Sequence, residues 1–242
     1  MKKKIIIIDN SNLAYSGEEI NGVTLRGTET SLILLAEQFV KMNIEVHFCN
    51  NILETKIVNG VKYFNKKKID KSDLYNLAIA VSDANEFDNV TALKKAIFSN
   101  SNQPFEKFLR KKQLIPFLKH KPVLVTLCNY QYHKRSFLTS FYGKRMIPIT
   151  VDPKFLNVDI DLNYIPKKKV VYNIRSNRNL DWLLDIWCKK IFPFNKDFEL
   201  YITPNIINYS DKLREQNIFL RTIGSRSEMI NELKEYRALT YL

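Results

Sequence analysis

Short apolar runs alternate with amphipathic helices along most of this chain, and that alternation restricts the fold more than any other feature. Residues 5–8 form a continuous β-branched run, which is typical of a strand buried on both faces. After it, apolar residues recur with helical spacing from Leu32 to Val40. Strands that alternate with helices predict an α/β protein with a parallel sheet and right-handed crossovers.

The alternation occurs twice, so two domains are predicted. The first set of signals covers residues 1–163 and contains Asn59-Gly60, a strong signal for a two-residue hairpin turn. Further strands are expected at 45–49, 77–81, 95–99, 123–127 and 145–149, and helices at 104–118 and 133–141. Residues 152–169 have few periodic positions, two prolines and a lysine run, and we assign them as the linker. We predict a complete Rossmann-like domain over 1–163 and part of a second over 164–242.

The second set of signals is shorter than the first. Strands are expected at 170–174, 199–202 and 219–222, and helices at 178–191 and 228–237, with no later strand. In open α/β sheets, ligands bind beyond the carboxyl ends of the strands. We therefore expect the second domain to lack part of its own site.

The charge of the chain favours anionic partners. Its 242 residues carry a formal net charge of +13, with a pI near 9.5. Nucleic acid, phosphate-bearing metabolites and an anionic membrane face would all suit this charge. The alternative is a compositional bias, because Lys, Ile and Asn are abundant together, as in proteins from AT-rich genomes.

The cysteines and the N-terminus favour the cytoplasm. Cys49, Cys128 and Cys188 are far apart and form no C-x-x-C pair, so neither a disulfide framework nor a zinc site is predicted. The apolar run at 5–8 is too short for a signal peptide. No apolar stretch has the length needed to span a bilayer.

The first candidate ligand site is the junction Arg26-Gly27-Thr28-Glu29, which precedes the first helix. Neither a dinucleotide fingerprint nor a P-loop is present. Gly27 would let the backbone approach a ligand, Thr28 is the predicted N-cap, and the free amides of a helix N-terminus suit an anion. The alternative is an ordinary glycine before a helix cap.

A second junction, between residues 174 and 180, follows the first strand of the second domain. Its Arg175 and Arg178 would flank a helix N-terminus, and guanidinium groups make bidentate, permanently charged contacts with a diphosphate. A solvated turn with incidental charge is the alternative, and the spacing alone does not separate the two.

Four other side chains are of types that can take part in catalysis or ligand binding. His47 lies within a strand pattern and favours packing, and His120 has no recognisable motif around it. His133 and Asp83 each follow a strand end, where ligands bind, so both are candidates for a ligand-facing loop. Against this, His133 lacks an identifiable acid or nucleophile, and Asp83 could equally cap the next turn.

Basic residues cluster at 66–68, 107–121 and 167–169. The middle cluster is an amphipathic basic helix, which can dock on an anionic lipid surface. The alternative is a helix that packs its apolar side on the sheet and exposes its charges.

Taken in order, these junctions resemble the GT-B glycosyltransferases of the "group 1" class, which use nucleotide sugars. Arg26-Gly27-Thr28-Glu29 and the helix after it are similar to the family's G-G-x-E start, with Arg26 at the first glycine. Residues 98–102 fall where many members have a strand ending in His-Asn, and here Ser101 replaces the histidine. Residues 151–155 resemble the passage that ends the N-terminal domain, without its Asn-Gly.

In the second domain, residues 172–180 resemble the donor-phosphate loop, with Arg178 as its basic residue and Asn179 at a glycine position. Residues 223–229 resemble the start of the helix that precedes an E-x7-E segment in the family. The chain ends before such a segment, so we expect weak transfer or none from these 242 residues.

The resemblance implies transfer of a sugar from a nucleotide diphosphate sugar to an acceptor hydroxyl that is a carbohydrate, lipid-linked or other molecule. The resemblance makes residues 1–163 the acceptor side and residues 164–242 the donor side. The implied reaction needs no cofactor and no metal. Arg178, then Arg175, would contact the diphosphate, and Gly27 and Thr28 would lie at the cleft floor. It assigns no catalytic residue.

Two alternatives remain open. One is a basic nucleic-acid-binding module, although the sequence has no zinc-finger, RRM or KH motif. The other is a non-catalytic remnant that keeps the fold and acts as an interaction protein. If the chain is a transferase, we expect it in the cytoplasm, where it could also contact the inner face of the membrane peripherally.

Overall fold

The computed structural model describes residues 2–22, 25–99, 105–134, 136–148, 153–156, 161, 163–172, 179–202, 211–221 and 224–240. The chain divides into two compact units. Unit 1 comprises residues 1–20 and 24–153, and unit 2 comprises residues 21–23 and 154–242.

Unit 1 is built on an eight-stranded sheet with the order β3-β4-β2-β1-β5-β6-β7-β8. All neighbouring strands are parallel except β3 and β4, which are antiparallel. The strands are β1 (Lys4–Ile8), β2 (Glu45–Asn50), β3 (Lys56–Val58), β4 (Val61–Asn65), β5 (Leu74–Val81), β6 (Thr91–Ser99), β7 (Val123–Thr126) and β8 (Lys144–Met146).

The strand β1 joins two cores, because its isoleucines alternate between the faces of the sheet. Ile5 and Ile7 pack into the core beneath helix α1 (Gly27–Lys41). Ile6 and Ile8 pack into the core on the other face, with Phe108 of α2 (Phe105–Arg110) and Phe117 of α3 (Leu114–His120). The predicted strand, buried on both faces, is confirmed.

The predicted hairpin is also confirmed, as β3 and β4. Asn59 and Gly60 have φ angles of 49° and 80°, the two left-handed positions that a type I′ turn requires. The turn packs on helix α1, because a β-carbon on Gly60 would lie 2.7 Å from Cγ1 of Val40.

Two predicted helices of unit 1 are shorter than expected. The helix predicted at 104–118 is two helices, because Lys112 adopts a left-handed φ of 54° between α2 and α3. The helix predicted at 133–141 is α4 (Asn129–Lys134), followed by a 3₁₀ turn at Phe137–Thr139.

Unit 2 has a four-stranded parallel sheet with the order β11-β10-β9-β12. The strands are β9 (Lys167–Tyr172), β10 (Glu199–Ile202), β11 (Ile218–Leu220) and β12 (Tyr236–Thr240). The helices are α6 (Leu180–Ile186), α7 (Asp211–Arg214) and α8 (Arg226–Leu233), after a short α5 (Pro153–Leu156). Trp187 is 1% exposed, and its indole N–H donates to the Gln216 carbonyl oxygen at 2.9 Å.

Two predictions for unit 2 were wrong, and a third is confirmed with one difference. The lysines at 167–169 belong to β9 rather than to a linker, and Lys168 pairs with Asp197 at 2.8 Å. The helix predicted at 178–191 is helical from Leu180 to Ile191, but its last turn, Trp187–Ile191, is π-helical. The last helix ends at Leu233 rather than at 237, and the chain then returns to the sheet as β12, beside β9.

Because β12 is present, both sheets contain the same four-strand parallel pattern. In unit 1 it is β4-β2-β1-β5, and in unit 2 it is β11-β10-β9-β12. In unit 1 the strand that comes first in the sequence, β1, lies between β2 and β5. In unit 2 the first strand, β9, lies in the same way between β10 and β12. Among the residues that the structure describes, no helix is long and apolar enough to cross a membrane.

We expect Gly60→Ala to destabilise unit 1 by about 1–3 kcal/mol, because the new methyl group meets Val40 in a left-handed conformation that alanine disfavours. Urea unfolding measures this difference. Gly27→Ala is the matched control, since a β-carbon there meets no atom within 4 Å. Equal stability of the two variants would contradict the explanation.

Candidate functional site

The carboxyl edge of the larger sheet contains a topological switch point. The chain passes from β1 to β2 and β4 on one side, and then crosses to β5 on the other side of β1. The loops after β1 and β5 therefore leave the sheet in different directions. Ligands of open α/β sheets bind in the crevice that such a divergence creates.

Asp9 follows β1 directly and is held in place at this crevice. Its backbone N–H donates to the Cys49 carbonyl oxygen at 2.9 Å. Its carboxylate accepts hydrogen bonds from the Ser11 N–H at 3.1 Å and from the Ser11 hydroxyl at 2.7 Å. The Tyr15 hydroxyl donates to the same carboxylate at 2.8 Å. Three donors and near-complete burial fix the orientation of this carboxylate.

Tyr15 remains a hydrogen-bond donor at any ordinary pH. It is 1% exposed, and burial, together with the negative charge of Asp9, raises the pKa of its hydroxyl far above the usual range. The charge of Glu29 raises that pKa further. Tyr15 packs in the same core as Leu32 and Ile33 of α1, the helix whose first turn carries Glu29.

Glu29 supplies a free acceptor. It lies in the first turn of α1 and is 4% exposed. Among the described residues, its buried Oε2 atom has no hydrogen-bond partner. An unsatisfied buried acceptor costs about 1–3 kcal/mol, and a ligand hydroxyl or amine could satisfy it. We call Asp9, Tyr15 and Glu29 the β1 carboxylate cluster.

A second charged group lies close to the same edge. Glu86 is 8% exposed on the 3₁₀ helix after β5, and its carboxylate is 3.7 Å from the Lys66 ammonium, which follows β4. Lys66 also donates to the Asn10 side-chain oxygen. Burial raises the pKa of Glu86, and Lys66 opposes that rise. Because Asn10 directly follows Asp9 in the chain, the contact of Lys66 with Asn10 brings the Glu86–Lys66 pair close to the segment that carries Asp9.

Asp83 caps the 3₁₀ helix that carries Glu86, which is the capping alternative of the sequence analysis. Its Oδ1 atom accepts from the N–H of Asn85 at 3.0 Å and from the Asn85 amide group at 2.7 Å. Ser82, before it, has a left-handed φ of 58°. The buried side chain of Gln113 donates to the Ser82 carbonyl oxygen at 3.3 Å and so supports the loop.

The first junction of the sequence analysis differs in detail from its prediction. Helix α1 begins at Gly27, and its N-cap is Arg26, whose side chain makes no capping hydrogen bond. Thr28 therefore lies inside the first turn, and its assignment as N-cap was wrong. Gly27 faces open space, so no packing within the chain requires a glycine there.

The histidines lie away from the β1 carboxylate cluster. His133 is exposed on α4, and its ring contacts Tyr132. Helix α4 follows β7, which is three strands or about 14 Å from β1. His47 is buried within β2, where it contacts the Tyr75 hydroxyl at 2.9 Å and Glu45 at 3.1 Å. His120 lies between Lys95 and Asp88, at 2.9 and 2.8 Å.

Unit 2 has the corresponding switch point at the carboxyl edge of its own sheet. β9 ends at Tyr172, and helix α6 begins at Leu180. Arg175 and Arg178, the predicted diphosphate contacts, lie outside the described residues. Within the described part of unit 2, Arg221 follows β11 and donates to Glu232 of α8 at 2.6 Å. Glu232 also accepts from Tyr236 of β12 at 2.6 Å, so this network ties α8 and β12 to the sheet.

Sequence reasoning did not identify the β1 carboxylate cluster. Neither Asp9 nor Tyr15 belongs to a motif in the sequence, and Glu29, twenty residues from Asp9, entered only as the last residue of the Arg26–Glu29 junction. The available signal was its position, since an acidic residue directly after the first buried strand of an α/β domain lies at the carboxyl edge. Within the described residues, no group of three or more His, Cys, Asp or Glu side chains is placed to hold a metal ion.

No protein family profile matches the chain, and no curated protein matches its sequence. Solved structures do share its fold. Sucrose-phosphate synthase from Thermosynechococcus elongatus superimposes with a TM-score of 0.62 at 9% identity, over 98% of this chain and 75% of that one. An alpha-glucosyltransferase in complex with UDP and a 13-mer DNA gives 0.56 at 11% identity, over 98% and 70%. The same kind of enzyme with UDP gives 0.56 at 10% identity, over 98% and 72%.

These structures are GT-B glycosyltransferases, and the expected fold class is thereby confirmed. The chain has a GT-B-like α/β fold, with a large, mostly parallel sheet of eight strands and a second parallel sheet of four. At such low identity the likeness concerns the fold.

The Glu86–Lys66 pair makes a pH-dependent prediction. Because the pKa of Glu86 is raised in the folded protein, its neutral form stabilises the fold, and that stability is lost as the pH rises through the folded pKa. We expect the free energy of unfolding of Glu86→Gln, relative to wild type, to increase as the pH rises from 4 to 7, because only the wild-type carboxyl loses its proton over this range. Urea unfolding across this range measures it. A relative stability that is constant or falls over this range would refute the assignment.

Proposed function

We propose that this chain is a glycosyltransferase that moves a sugar from a nucleotide diphosphate sugar to an acceptor hydroxyl. One observation carries the proposal. Both sheets have the strand order that places a switch point at a carboxyl edge, and 98% of the chain superimposes on GT-B enzymes. Two of the neighbouring structures hold UDP.

In this proposal, unit 2 takes the nucleotide sugar. Arg178, then Arg175, would contact the diphosphate, because guanidinium groups offer bidentate and permanently charged donors. Stabilising the negative charge that develops on the departing diphosphate is the main contribution that these arginines would make. We propose that transfer needs no metal, so chelation by EDTA should leave UDP binding unchanged.

Unit 1 would take the acceptor at the crevice beside β1. The free Oε2 atom of Glu29 can accept a hydrogen bond from a sugar hydroxyl or from the hydroxyl that attacks. Asp9 and Tyr15 would hold the local structure rigid around it, because their hydrogen bond is buried. Gly27 leaves open space at the start of α1 through which a ligand could approach the backbone.

A cytoplasmic location, with peripheral contact at the inner face of a membrane, is part of the proposal. Cys49, Cys128 and Cys188 are all free thiols, which suits a reducing compartment. The acceptor class is left open between carbohydrate, lipid-linked and other hydroxyls.

Calorimetric titration with UDP at physiological salt tests the donor side without requiring turnover. We expect Arg178→Gln to weaken UDP binding about 10- to 100-fold, because one charge-assisted contact contributes about 1.5–3 kcal/mol. The double variant Lys190→Gln/Lys196→Gln is the control, since both lysines are exposed in the same unit. Equal affinity for uridine and UDP would exclude a diphosphate site. Salt-sensitive binding of oligonucleotides without UDP binding would favour the nucleic-acid-binding alternative.

Glu29→Gln tests the acceptor side. The substitution replaces a carboxylate oxygen by an amide of the same shape, so we expect the dissociation constant of an acceptor to rise about tenfold while the UDP affinity stays unchanged. Calorimetric titration with free hexoses, octyl glucoside and duplex DNA measures acceptor binding without requiring turnover. Glu37→Gln on the same helix is the control, because Glu37 bonds Asn59 at the hairpin. An effect on UDP affinity alone would place Glu29 on the donor side and contradict the assignment.

A further inference from the structure

The positive charge of the chain is concentrated in one stretch. Residues 107–151 contain ten Lys and Arg residues and no Asp or Glu. The other 28 of the 38 basic residues are nearly balanced by the 25 acidic ones. A general compositional bias would spread the excess along the chain, so this distribution calls for a local cause.

This stretch folds at one end of unit 1, over the last strands of its sheet. Helices α2 and α3 pack on the sheet through Phe108 and Phe117, whose rings lie edge to face at 5.2 Å. Tyr142 stacks beside Phe117, also at 5.2 Å, and its hydroxyl donates to the Leu118 carbonyl oxygen at 3.5 Å. The segment before β8 therefore lies against α3.

Large apolar side chains point outward from these elements. Ile115 is 77% exposed and Phe137 is 71% exposed. Phe141 lies between Phe137 and Tyr142: its ring centroid is 5.6 Å from that of Phe137 and 5.3 Å from that of Tyr142. The exposed apolar members are Leu109, Ile115, Leu118, Phe137, Leu138 and Phe141. Exposed basic residues lie on the same helices and at their ends, namely Arg110, Lys111, Lys112 and Lys121, whereas Lys119 pairs with Asp88 at 2.6 Å. We call this set the apolar–basic surface.

We propose that the apolar–basic surface docks unit 1 on an anionic lipid bilayer. Phe137, Phe141 and Ile115 would enter the boundary between headgroups and acyl chains, while lysines and arginines at the rim contact lipid phosphates. Contiguous exposed apolar side chains are unusual on a soluble monomer unless they bind something. Nucleic acid fits the charge, but contacts to its backbone come from polar and basic side chains and would leave these apolar groups in water.

This proposal deepens the membrane contact included in the proposed function, but its evidence is the charge and exposure of unit 1 and its test does not require sugar transfer. Sedimentation with phosphatidylcholine vesicles, with and without phosphatidylglycerol, tests it at physiological salt. We expect binding only to the anionic vesicles. Phe137→Ser/Phe141→Ser should abolish it, and Arg110→Gln/Lys111→Gln should weaken it about 10- to 30-fold, since each charge near a membrane contributes about fivefold.

Matched controls come from exposed residues elsewhere. Phe194→Ser removes a phenylalanine that is 93% exposed in unit 2, and Lys41→Gln/Lys71→Gln removes two exposed lysines from other parts of unit 1. Both should bind like wild type. In a second measurement, Phe137→Trp should be quenched by brominated lipid, and Phe194→Trp should not.

Three results would overturn the proposal. The first is failure of the wild type to bind anionic vesicles, and the second is equal loss in the control variants. The third is a different occupant of the surface. In that case the wild type does not bind vesicles, and the surface variants either dissociate a dimer in sedimentation equilibrium or lose binding to duplex DNA.

Discussion

The burial of β1 on both faces is the constraint on which the rest of unit 1 depends. Ile5 and Ile7 join the core under α1, and Ile6 and Ile8 join the core under α2 and α3. Fully burying one such side chain contributes about 1.5–3 kcal/mol, so four in succession fix both the position and the register of the strand. With β1 fixed between β2 and β5, the loop that follows it must open at the switch point.

Burying polar groups at that edge costs free energy, and hydrogen bonds and ion pairs offset this cost to a different extent for each group. The Asp9 carboxylate has three hydrogen-bond donors, two from Ser11 and one from Tyr15. Glu86 has Lys66, yet its pKa is still raised because burial outweighs the attraction. Glu29 keeps a buried acceptor without a partner. In the proposed function, this carboxylate oxygen would be the acceptor for a ligand hydroxyl.

The sequence allowed prediction of the features that local patterns determine. Residues 5–8 were predicted as a strand because they are continuously apolar, and the hairpin followed from Asn59-Gly60, which only a few turn types accommodate. The strand β12 was missed because only two residues separate it from helix α8 and because it contains the charged Arg237. Its place depends on pairing with Val170 and Val171, far away in the chain. Lys168 and Lys169 in β9 were misleading for the same reason, since their partners Asp197 and Glu235 are apparent only in the folded unit. The β1 carboxylate cluster likewise depends on tertiary contacts.

The charge distribution of unit 1 connects its two proposed surfaces. The acidic groups at the carboxyl edge lie at β1 and β5, whereas the stretch without any acidic residue begins after Glu106 and supplies β7, β8 and the helices beside them. Strands lie about 4.8 Å apart, so β6, which leads into this stretch, is only about 10 Å from β1. The proposed lipid-docking surface and the proposed acceptor crevice therefore belong to the same unit and lie only a few strands apart in its sheet. A lipid-linked hydroxyl would be one acceptor class that both surfaces could serve, beside the carbohydrate and other hydroxyls of the proposed function.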